Sequence, residues 1–389
     1  MNSLDLCILL IALAFAVSGV VQGFLANLAA TVGLLVGGLL AVLLVPLVIS
    51  PAEPNLAASL TALGIVVAAA AGGQILGTVV GTDLRRTVRS STGRWIDAAG
   101  GGVLSVVSVL VVSWALGYAV SGTTVPYLST AARESTILGT VDRAMPSQAA
   151  GVLRAFSDVI DANLFPRYLD PFDSEDIVRV GPPDPATLQL PGVEQASASV
   201  VKILGEASCE RGIEGTGFVF AEDRVMTNAH VVAGVSRPDV VTTEGSFAAK
   251  VVVFDPELDV AVLAVDLDLP ALAFDSGGEA GQDAAVLGYP GNGPFDAQAA
   301  RIRERIRLKS PDIYDGGQHV RESFSIRSLV RSGNSGGPLV SAEGLVLGVI
   351  FAASVTDSNT GYALTAEQVA DAAETGRRAT ASVDTGECA

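Results

Sequence analysis

The first 84 residues of this chain contain no lysine and no arginine, and this absence constrains the fold more than any other feature of the sequence. Four apolar segments begin in this region or just beyond it, and each is close to the ~20 residues that a helix needs to cross a bilayer. They run over Leu6–Ala26, Ala29–Ile49, Ser59–Gly81 and Gly100–Val120. The pattern predicts an α-helical membrane domain of about four transmembrane helices over residues 1–125. One very hydrophobic buried helical domain is the alternative, whereas a signal peptide is disfavoured because no basic segment precedes the first span.

The first positive charges predict how these helices are oriented. Arg85, Arg86, Arg89 and Arg94 lie together in the short loop between the third and fourth apolar segments. Because short cytoplasmic loops carry an excess of lysine and arginine, we expect this loop in the cytoplasm. With four spans, the chain after residue 120 then lies outside the cytoplasm. The prediction is a multi-pass protein of the cell membrane, with the lipid bilayer as one partner.

Residues 126–194 are predicted to form a connector of two parts. Apolar positions at helical spacing indicate amphipathic helices in the first part, and these positions are Val152, Leu153, Phe156, Val159, Ile160 and Leu164. Six prolines from Pro166 to Pro191 oppose a continuous helix or a central strand, so the second part is expected to be an extended tether. A plain spacer and an arm that sets reach or is itself cut both remain open.

From residue 195 onward the pattern changes to short β-branched runs separated by glycines. Examples are Gly217–Ala221, Asp259–Val265 and Leu345–Phe351. This pattern is typical of an all-β domain built from two barrels. The basic stretch Arg301–Lys309 alternates charged and apolar residues, which predicts a strand with one solvated face.

The stretch Gly333–Pro338, with the sequence GNSGGP, is the candidate nucleophile motif. A serine hydroxyl is a weak nucleophile at neutral pH, so it needs an adjacent base and donors for the oxyanion that forms. Glycines around Ser335 allow the backbone to turn sharply, so that the N–H groups of Gly333 and Ser335 can point at one oxygen.

A histidine and an aspartate complete the candidate catalytic set. His230 ends the sequence TNAH, and Asp259 stands at the start of an apolar run that predicts a buried strand. A carboxylate persists there only if it is hydrogen-bonded, as it is when it orients a histidine. The chain order His230, Asp259, Ser335 is that of chymotrypsin-type enzymes and differs from subtilisin and the α/β-hydrolases.

These motifs resemble the trypsin-like protease domain of the HtrA (DegP) group. The matching pieces occur in order along the chain and are Gly215–Phe218, Thr227–His230, Leu258–Ala261, Gly288–Pro290, Gly333–Pro338 and Gly361–Leu364. Together with the apolar N-terminal part, the chain is similar to the actinobacterial membrane-anchored MarP serine proteases. The N-terminal part of that family resembles the CvpA (colicin V production) family.

The resemblance implies a chymotrypsin-like double β-barrel over residues 195–389, with the His–Asp pair on the first barrel and the serine on the second. It implies a specificity pocket formed by Leu329, Phe351, Ala352, Ala353 and Ser354. None of these residues is acidic, so an uncharged, apolar side chain is expected before the scissile bond. Only 25 residues follow Leu364, which is too few for the PDZ domain that HtrA proteases usually append, so none is expected.

The three cysteines agree with this topology. Cys7 lies in the first apolar segment, which leaves Cys209 and Cys388 as the cysteines of the extracytoplasmic part. Such a pair can form a disulfide in an oxidising compartment, and the resemblance favours one. Two unrelated free thiols are the alternative.

Composition argues against several other functions. The formal charge of −17 and a pI near 4.5 disfavour a nucleic-acid partner. His319, the only histidine besides His230, stands in a glycine-containing loop and is expected to be a solvated turn residue. With no histidine pair and no cysteine cluster, neither a metal site nor a cofactor is expected.

The predicted function is therefore a membrane-anchored, extracytoplasmic serine endopeptidase that acts on polypeptides of the cell envelope, with a monomeric protease domain. The resemblance adds an expected contribution to acid and oxidative stress resistance. The alternative is a membrane scaffold or transport protein whose protease-like domain binds and regulates. An intact set of nucleophile, base, orienting carboxylate and glycine loop favours the enzyme, because a scaffold has no need of all of them.

Overall fold

A computed structural model describes residues 2–48, 56–86, 90–121, 126–145 and 175–389, apart from residues 210, 315 and 355. The described residues separate into two compact units. One contains the four long N-terminal helices and the other contains the β-strands. Arg89, the predicted helical positions from Val152 to Leu164, and Pro166 and Pro171 lie outside the described residues.

Four helices of the first unit are long and apolar enough to cross a membrane, which confirms the predicted helical membrane domain. The helices are α1 (Ser3–Gln22), α2 (Phe24–Val48), α3 (Leu56–Arg85) and α4 (Ser91–Ser121), followed by the short α5 (Pro126–Arg133) and α6 (Thr136–Ala144). Glycines bring these helices into close contact. A Cβ atom on Gly33 would lie 2.1 Å from the carbonyl oxygen of Gly73, so α2 and α3 can approach this closely only with glycine there.

The arginine loop is shorter than the sequence predicts, because α3 extends to Arg85 and α4 begins at Ser91. Arg85 points back into the helical unit, where its Nε lies 2.8 Å from Oδ2 of Asp97 on α4. Its Nη1 donates to the carbonyl oxygen of Val21, near the end of α1. Arg85 therefore joins the ends of three helices by polar contacts.

The second unit contains two antiparallel β-structures, which confirms the predicted chymotrypsin-like double-barrel fold. The strands are β1 (Val200–Glu206), β2 (Gly212–Ala221), β3 (Arg224–Thr227), β4 (Asp239–Thr242), β5 (Gly245–Ala248), β6 (Lys250–Asp255), β7 (Val260–Ala264), β8 (Asp283–Gly288), β9 (Asp296–Ser310), β10 (His319–Arg327), β11 (Pro338–Ser341), β12 (Val346–Ala353) and β13 (Thr360–Thr365). Strands β1 to β7 form a curled sheet in the order β5-β4-β1-β2-β3-β7-β6. Strands β8 to β13 close into a barrel in the order β10-β13-β12-β11-β8-β9.

Strand β7 shows how the core is arranged. Val260 and Val262 point into a cluster shared by the two β-structures, where they meet Leu287 of the second barrel. Ala261 and Leu263 point into the interior of the first sheet. Because side chains alternate along a strand and both faces of β7 are buried, the whole run is apolar. The shared cluster lies between the two structures that carry the candidate catalytic residues.

The proline-rich segment differs from the predicted extended tether only from residue 185 onward, because residues 175–184 have neither helical nor strand structure. Pro185 begins a 3₁₀ helix (Pro185–Gln189), and Pro191 begins helix α7 (Pro191–Ser197). Proline is well suited to the first turn of a helix, where its missing N–H would have no intrahelical partner. Val193 and Ala196 of α7 join the shared core. The last helix, α8, spans Ala370–Arg378.

The predicted basic strand is present as part of β9, but one of its charges is not solvated. Arg305 and Lys309 carry exposed or partly exposed side chains, as the alternation predicts. Arg303 is only 6% exposed. Its guanidinium donates to Val178 O (2.7 Å) and to Thr360 Oγ1 (2.9 Å), so hydrogen bonds replace water around the charge.

Candidate active site

His230 and Asp259 form a direct pair in the first β-structure. His230 Nδ1 lies 2.8 Å from Oδ2 and 3.0 Å from Oδ1 of Asp259, and the His230 backbone N–H donates to Oδ1 at 2.9 Å. The Asp259 main chain is held as well, because Asn228 Nδ2 donates to its carbonyl oxygen at 2.7 Å. Asp259 adopts a φ of +61°, which aspartate tolerates better than most residues. The imidazole is thereby fixed with Nδ1 toward the carboxylate and Nε2 on the other side.

The Asp259 carboxylate is buried, yet its environment keeps it charged. Burial raises the pKa of Asp259, but the His230 charge, the His230 hydrogen bonds and the Arg321 guanidinium outweigh burial and hold the pKa below its ordinary value of 3.8. Arg321 is 3% exposed and comes from β10 of the second barrel. Its Nε donates at 2.9 Å to the carbonyl oxygen of Glu257, two residues before Asp259. The second barrel thus supplies a buried cation beside the carboxylate of the first sheet.

Ser335 lies in a glycine loop that touches the segment leading to His230. Gly336 has a φ of +82°, and a Cβ atom there would lie 2.2 Å from Thr227 Oγ1 and 3.0 Å from the Asn228 nitrogen. Only glycine allows this approach. The glycine loop therefore contacts the chain two and three residues before His230. No hydrogen bond joins the Ser335 hydroxyl to the His230 ring in the part of the chain that the structure describes.

Thr216 connects the two β-structures at this point. Its backbone N–H donates to Ser335 O at 2.8 Å, and its carbonyl oxygen accepts from Thr227 Oγ1 at 2.7 Å. Its hydroxyl donates to Gly333 O at 2.6 Å and accepts from the Tyr289 N–H at 2.9 Å. Thr216 is fully buried, so these four hydrogen bonds are shielded from water.

The same loop presents two backbone donors. Gly333 adopts a φ of +89°, and the carbonyl oxygen of the preceding Ser332 accepts from the Gly291 N–H at 2.8 Å, which directs that carbonyl toward Gly291. Among the described residues, none accepts a hydrogen bond from the N–H groups of Gly333 and Ser335. The N–H of a serine, together with that of a glycine two residues before it, can bind the oxygen of a tetrahedral adduct.

The predicted pocket residues lie at the end of β12 and in the loops that follow β10 and β12. Leu329 follows β10 and is 39% exposed, and the other four run along the end of β12 into the next loop. Ala352 is buried, and Ala353 and Ser354 are partly buried. Phe351 packs in the shared core, with the Arg321 guanidinium 5.9 Å from its ring centre. The pocket assignment stays a prediction.

Cys209 and Cys388 form a disulfide across a sequence separation of 179 residues. Hydrogen bonds hold the same tail on the first sheet, because Gly234 N–H donates to Thr385 O at 3.0 Å. Cys7 is a free cysteine in α1. His319 also differs slightly from a purely solvated turn residue, because it begins β10 and its Nδ1 lies 3.3 Å from Glu257 Oε2.

The sequence motifs missed Thr216 and Arg321 as residues of the site. Thr216 lies inside the motif Gly215–Phe218, yet nothing in the motif distinguishes a hydroxyl that bonds another segment from one that faces solvent. Arg321 stands in a strand whose buried positions Ser323 and Ser325 are also polar. A polar side chain at every second position of a central strand is the signal that could have identified this buried face.

Comparison with known proteins places both parts of the chain. The trypsin-like peptidase domain family matches residues 215–349, and the colicin V production protein family matches residues 4–146. Serine protease Rv3671c of Mycobacterium tuberculosis is 42% identical over 314 residues, which cover 79% of this chain and 79% of that protein. Serine protease HTRA4 of Homo sapiens is 32% identical over 147 residues, 35% of this chain and 29% of that protein.

One solved structure agrees with the fold. The Rv3671c protease of M. tuberculosis in its active form superimposes with a TM-score of 0.54 at 47% sequence identity, over 57% of this chain and 98% of that one. The structural match to Rv3671c therefore covers the peptidase domain, and the sequence match extends over most of both proteins. The chain belongs to the family of serine proteases that join a CvpA-type membrane domain to a trypsin-like peptidase domain.

Proposed function

We propose that this protein is a membrane-anchored serine endopeptidase whose catalytic residues are His230, Asp259 and Ser335. The observation that carries the proposal is the buried His230–Asp259 pair, next to which Thr216 and Gly336 fix the Ser335 loop. His230 is the general base, and Asp259 holds its tautomer and stabilises the imidazolium that forms.

The reaction is acyl transfer to water in two steps. Ser335 Oγ attacks the substrate carbonyl carbon while its proton moves to His230 Nε2, and the N–H groups of Gly333 and Ser335 stabilise the negative oxygen. His230 then protonates the leaving amine, which departs and leaves an acyl-enzyme. Water attacks that ester with His230 again as base, and Ser335 is regenerated. The missing Ser335–His230 hydrogen bond is compatible with this scheme, because such bonds often tighten only when substrate binds.

The experiment that tests this function is labelling of the full-length protein with a fluorophosphonate probe. Wild type should label, and Ser335→Ala and His230→Gln should not. Ser332→Ala is the matched control, because it removes an exposed hydroxyl three residues away in the same loop and should label like wild type. Equal labelling of wild type and Ser335→Ala would falsify the proposal.

We place the peptidase domain outside the cytoplasm, where its substrates are cell-envelope polypeptides. The basic residues between α3 and α4 support this side, and so does the disulfide, because structural disulfides persist mainly in oxidising compartments. Labelling of intact cells with a membrane-impermeant maleimide tests this orientation. Two variants are compared in a Cys7→Ser background: Ser90→Cys, between α3 and α4, and Ser246→Cys, in β5 of the peptidase domain. Only the Ser246→Cys protein should be labelled. Labelling of the Ser90→Cys protein alone would show that the peptidase domain lies in the cytoplasm.

The uncharged pocket residues support cleavage after an apolar side chain. A panel of peptides that differ only in the residue before the scissile bond tests this preference, and cleavage mainly after lysine or arginine would refute it.

A contribution to acid and oxidative stress resistance belongs to the same proposal. Survival at low pH and under peroxide should be restored to a deletion strain by the wild-type gene and not by the Ser335→Ala gene.

A further inference from the structure

The chain segment that leads into the peptidase domain lies along the second barrel. We call residues 175–181 the arm. Two arginines of the barrel bind its backbone: Arg303 Nη1 donates to Val178 O at 2.7 Å, and Arg327 Nη1 donates to Val180 O at 2.6 Å. The arm has neither helical nor strand structure, so contacts of this kind with the barrel hold it in place.

Glu175, at the start of the arm, receives hydrogen bonds from three hydroxyl groups. Ser354 Oγ donates to Oε2 at 2.7 Å, Tyr362 Oη donates to Oε1 at 2.6 Å, and Thr356 Oγ1 also donates to Oε2. Ser354 and Thr356 belong to the β12–β13 loop, and Tyr362 belongs to β13. One carboxylate therefore joins the loop to the strand that follows it. Hydrogen bonds to a charged acceptor are the stronger kind.

Arg303 ties the same loop to the arm from the other side. While its Nη1 binds Val178 O, its Nη2 lies 3.3 Å from Asp357 Oδ2 and donates to Thr360 Oγ1 at 2.9 Å. The loop also has internal bonds, because Ser354 Oγ accepts from the N–H groups of Thr356 and Asp357. Glu175 thus holds a hydroxyl whose oxygen itself organises the turn.

We propose that Glu175 is a positioning residue, which fixes the β12–β13 loop as one wall of the substrate pocket. The inference rests on the proposed function, because Ser354 is both a Glu175 partner and a residue of the predicted pocket. Ser335, His230 and Asp259 are held by separate contacts, through Thr216 and Asn228. Loss of Glu175 should therefore weaken substrate binding while the chemical step continues.

The experiment compares full-length wild type, Glu175→Ala, Glu175→Gln and Asp176→Ala in detergent micelles, using the peptide panel described above. Glu175→Ala should raise KM about five- to tenfold, as expected for losing the equivalent of one hydrogen bond, with kcat changed less than about twofold. It should also reduce selectivity between the preferred and the second-best residue before the scissile bond. Glu175→Gln keeps one acceptor oxygen and should lie between wild type and alanine.

Asp176→Ala is the matched control, because it removes an exposed carboxylate from the neighbouring position of the arm and should leave KM and selectivity within about twofold of wild type. A double-mutant cycle with Ser354→Ala adds a second measure. The combined KM effect should be smaller than the product of the single effects if the two residues act through one contact.

The outcomes separate this inference from the proposed function. If the wild type cleaves peptides in a Ser335-dependent manner and Glu175→Ala leaves KM and selectivity unchanged, the positioning role is wrong and the peptidase stands. The role is also wrong if Glu175→Ala lowers kcat alone, or if its effect simply multiplies with that of Ser354→Ala. If no Ser335-dependent cleavage occurs in the wild type, the proposed function itself fails.

Discussion

Thr216→Val is the substitution that most directly tests how the nucleophile loop is held. Valine has nearly the shape of threonine, so the change deletes the hydroxyl and little else. It leaves two groups without this partner: the Gly333 carbonyl, whose bond to the hydroxyl is buried, and the Tyr289 N–H, whose bond is partly buried. An unsatisfied buried group costs about 1–3 kcal/mol, and the Tyr289 N–H is only partly buried, so we expect the free energy of unfolding to fall by roughly 2–4 kcal/mol.

Catalysis should fall as well. The Gly333 carbonyl belongs to the peptide that follows Gly333, and this peptide connects the two N–H groups proposed to bind the oxyanion. Loss of one such donor costs about 10²–10³ in kcat, so a loop that is misoriented part of the time should lose roughly 10- to 100-fold. KM should change less, because the hydrogen bonds of the Thr216 hydroxyl go to Gly333 and Tyr289 and to none of the predicted pocket residues.

Thr216→Ser is the control, because it keeps the hydroxyl and removes a methyl group worth about 1 kcal/mol. Pulse proteolysis of the full-length protein across a urea series gives the free energy of unfolding, and the rate of fluorophosphonate labelling with peptide turnover gives the activity. A valine variant as stable and as active as the serine variant would show that the hydroxyl positions nothing, and the role of Thr216 as a connector would have to be abandoned.

Three further changes have outcomes fixed by the site. Because the folded-state pKa of Asp259 lies below 3.8, its carboxylate stabilises the fold above about pH 4, and this contribution is lost as the pH falls through the lowered pKa. The difference in melting temperature between wild type and Asp259→Asn should therefore shrink in acid. A difference that stays constant with pH would contradict this expectation. Gly336→Ala places a Cβ 2.1 Å from Thr216 O at a φ of +82°, so we expect at least about 3 kcal/mol of destabilisation by urea denaturation, and a normal urea midpoint would contradict this packing. Cys388→Ser removes a constraint worth up to about 5 kcal/mol for a separation of 179 residues; reductant should lower the melting temperature of the wild type to that of the variant and leave the variant unchanged, which a reductant-sensitive variant would contradict.

The parts of this structure that the sequence predicts well are those whose cause is local. The apolar helices follow from length and the absence of charge, and the strands from β-branched runs between glycines. Ser335 could be singled out because the chemistry of a serine nucleophile needs glycines immediately beside it. His230 and Asp259 could be proposed because their neighbours in sequence form short motifs and their order along the chain excludes other hydrolase types.

The parts that the sequence does not predict depend on partners far along the chain. Alternation in β9 predicts solvent around Arg303, but the neighbours that bury it, Val178 and Thr360, lie 125 and 57 residues away. Arg321 is buried for a similar reason, because Glu257 and Ser310 supply its acceptors. The alternation of residues along a strand predicts which face of the sheet a side chain lies on. Whether that face meets water or the carbonyl oxygens of distant segments depends on the assembled barrel.

The Pro-rich segment was predicted only in part: residues 175–184 have neither helix nor strand, but short helices begin at Pro185 and Pro191. The reason for this difference is local. Prolines oppose helix interiors, which led to the expectation of an extended tether from residue 166 to 192. A proline is favourable at the first helical position, and Asp184 immediately before Pro185 caps the turn by accepting from the Ala186 N–H at 2.9 Å. An aspartate followed by proline could have been interpreted as the start of a short helix.

The disulfide makes one closed ring of every residue between Cys209 and the second-last residue, Cys388. A single peptide-bond cut inside this ring opens it without separating the two pieces, which stay joined through sulfur. A nicked enzyme would therefore migrate as one chain on a non-reducing gel and as two after reduction. A cut inside the ring is therefore detected only after reduction, whereas a cut between the membrane helices and Cys209 breaks the covalent link between the two domains.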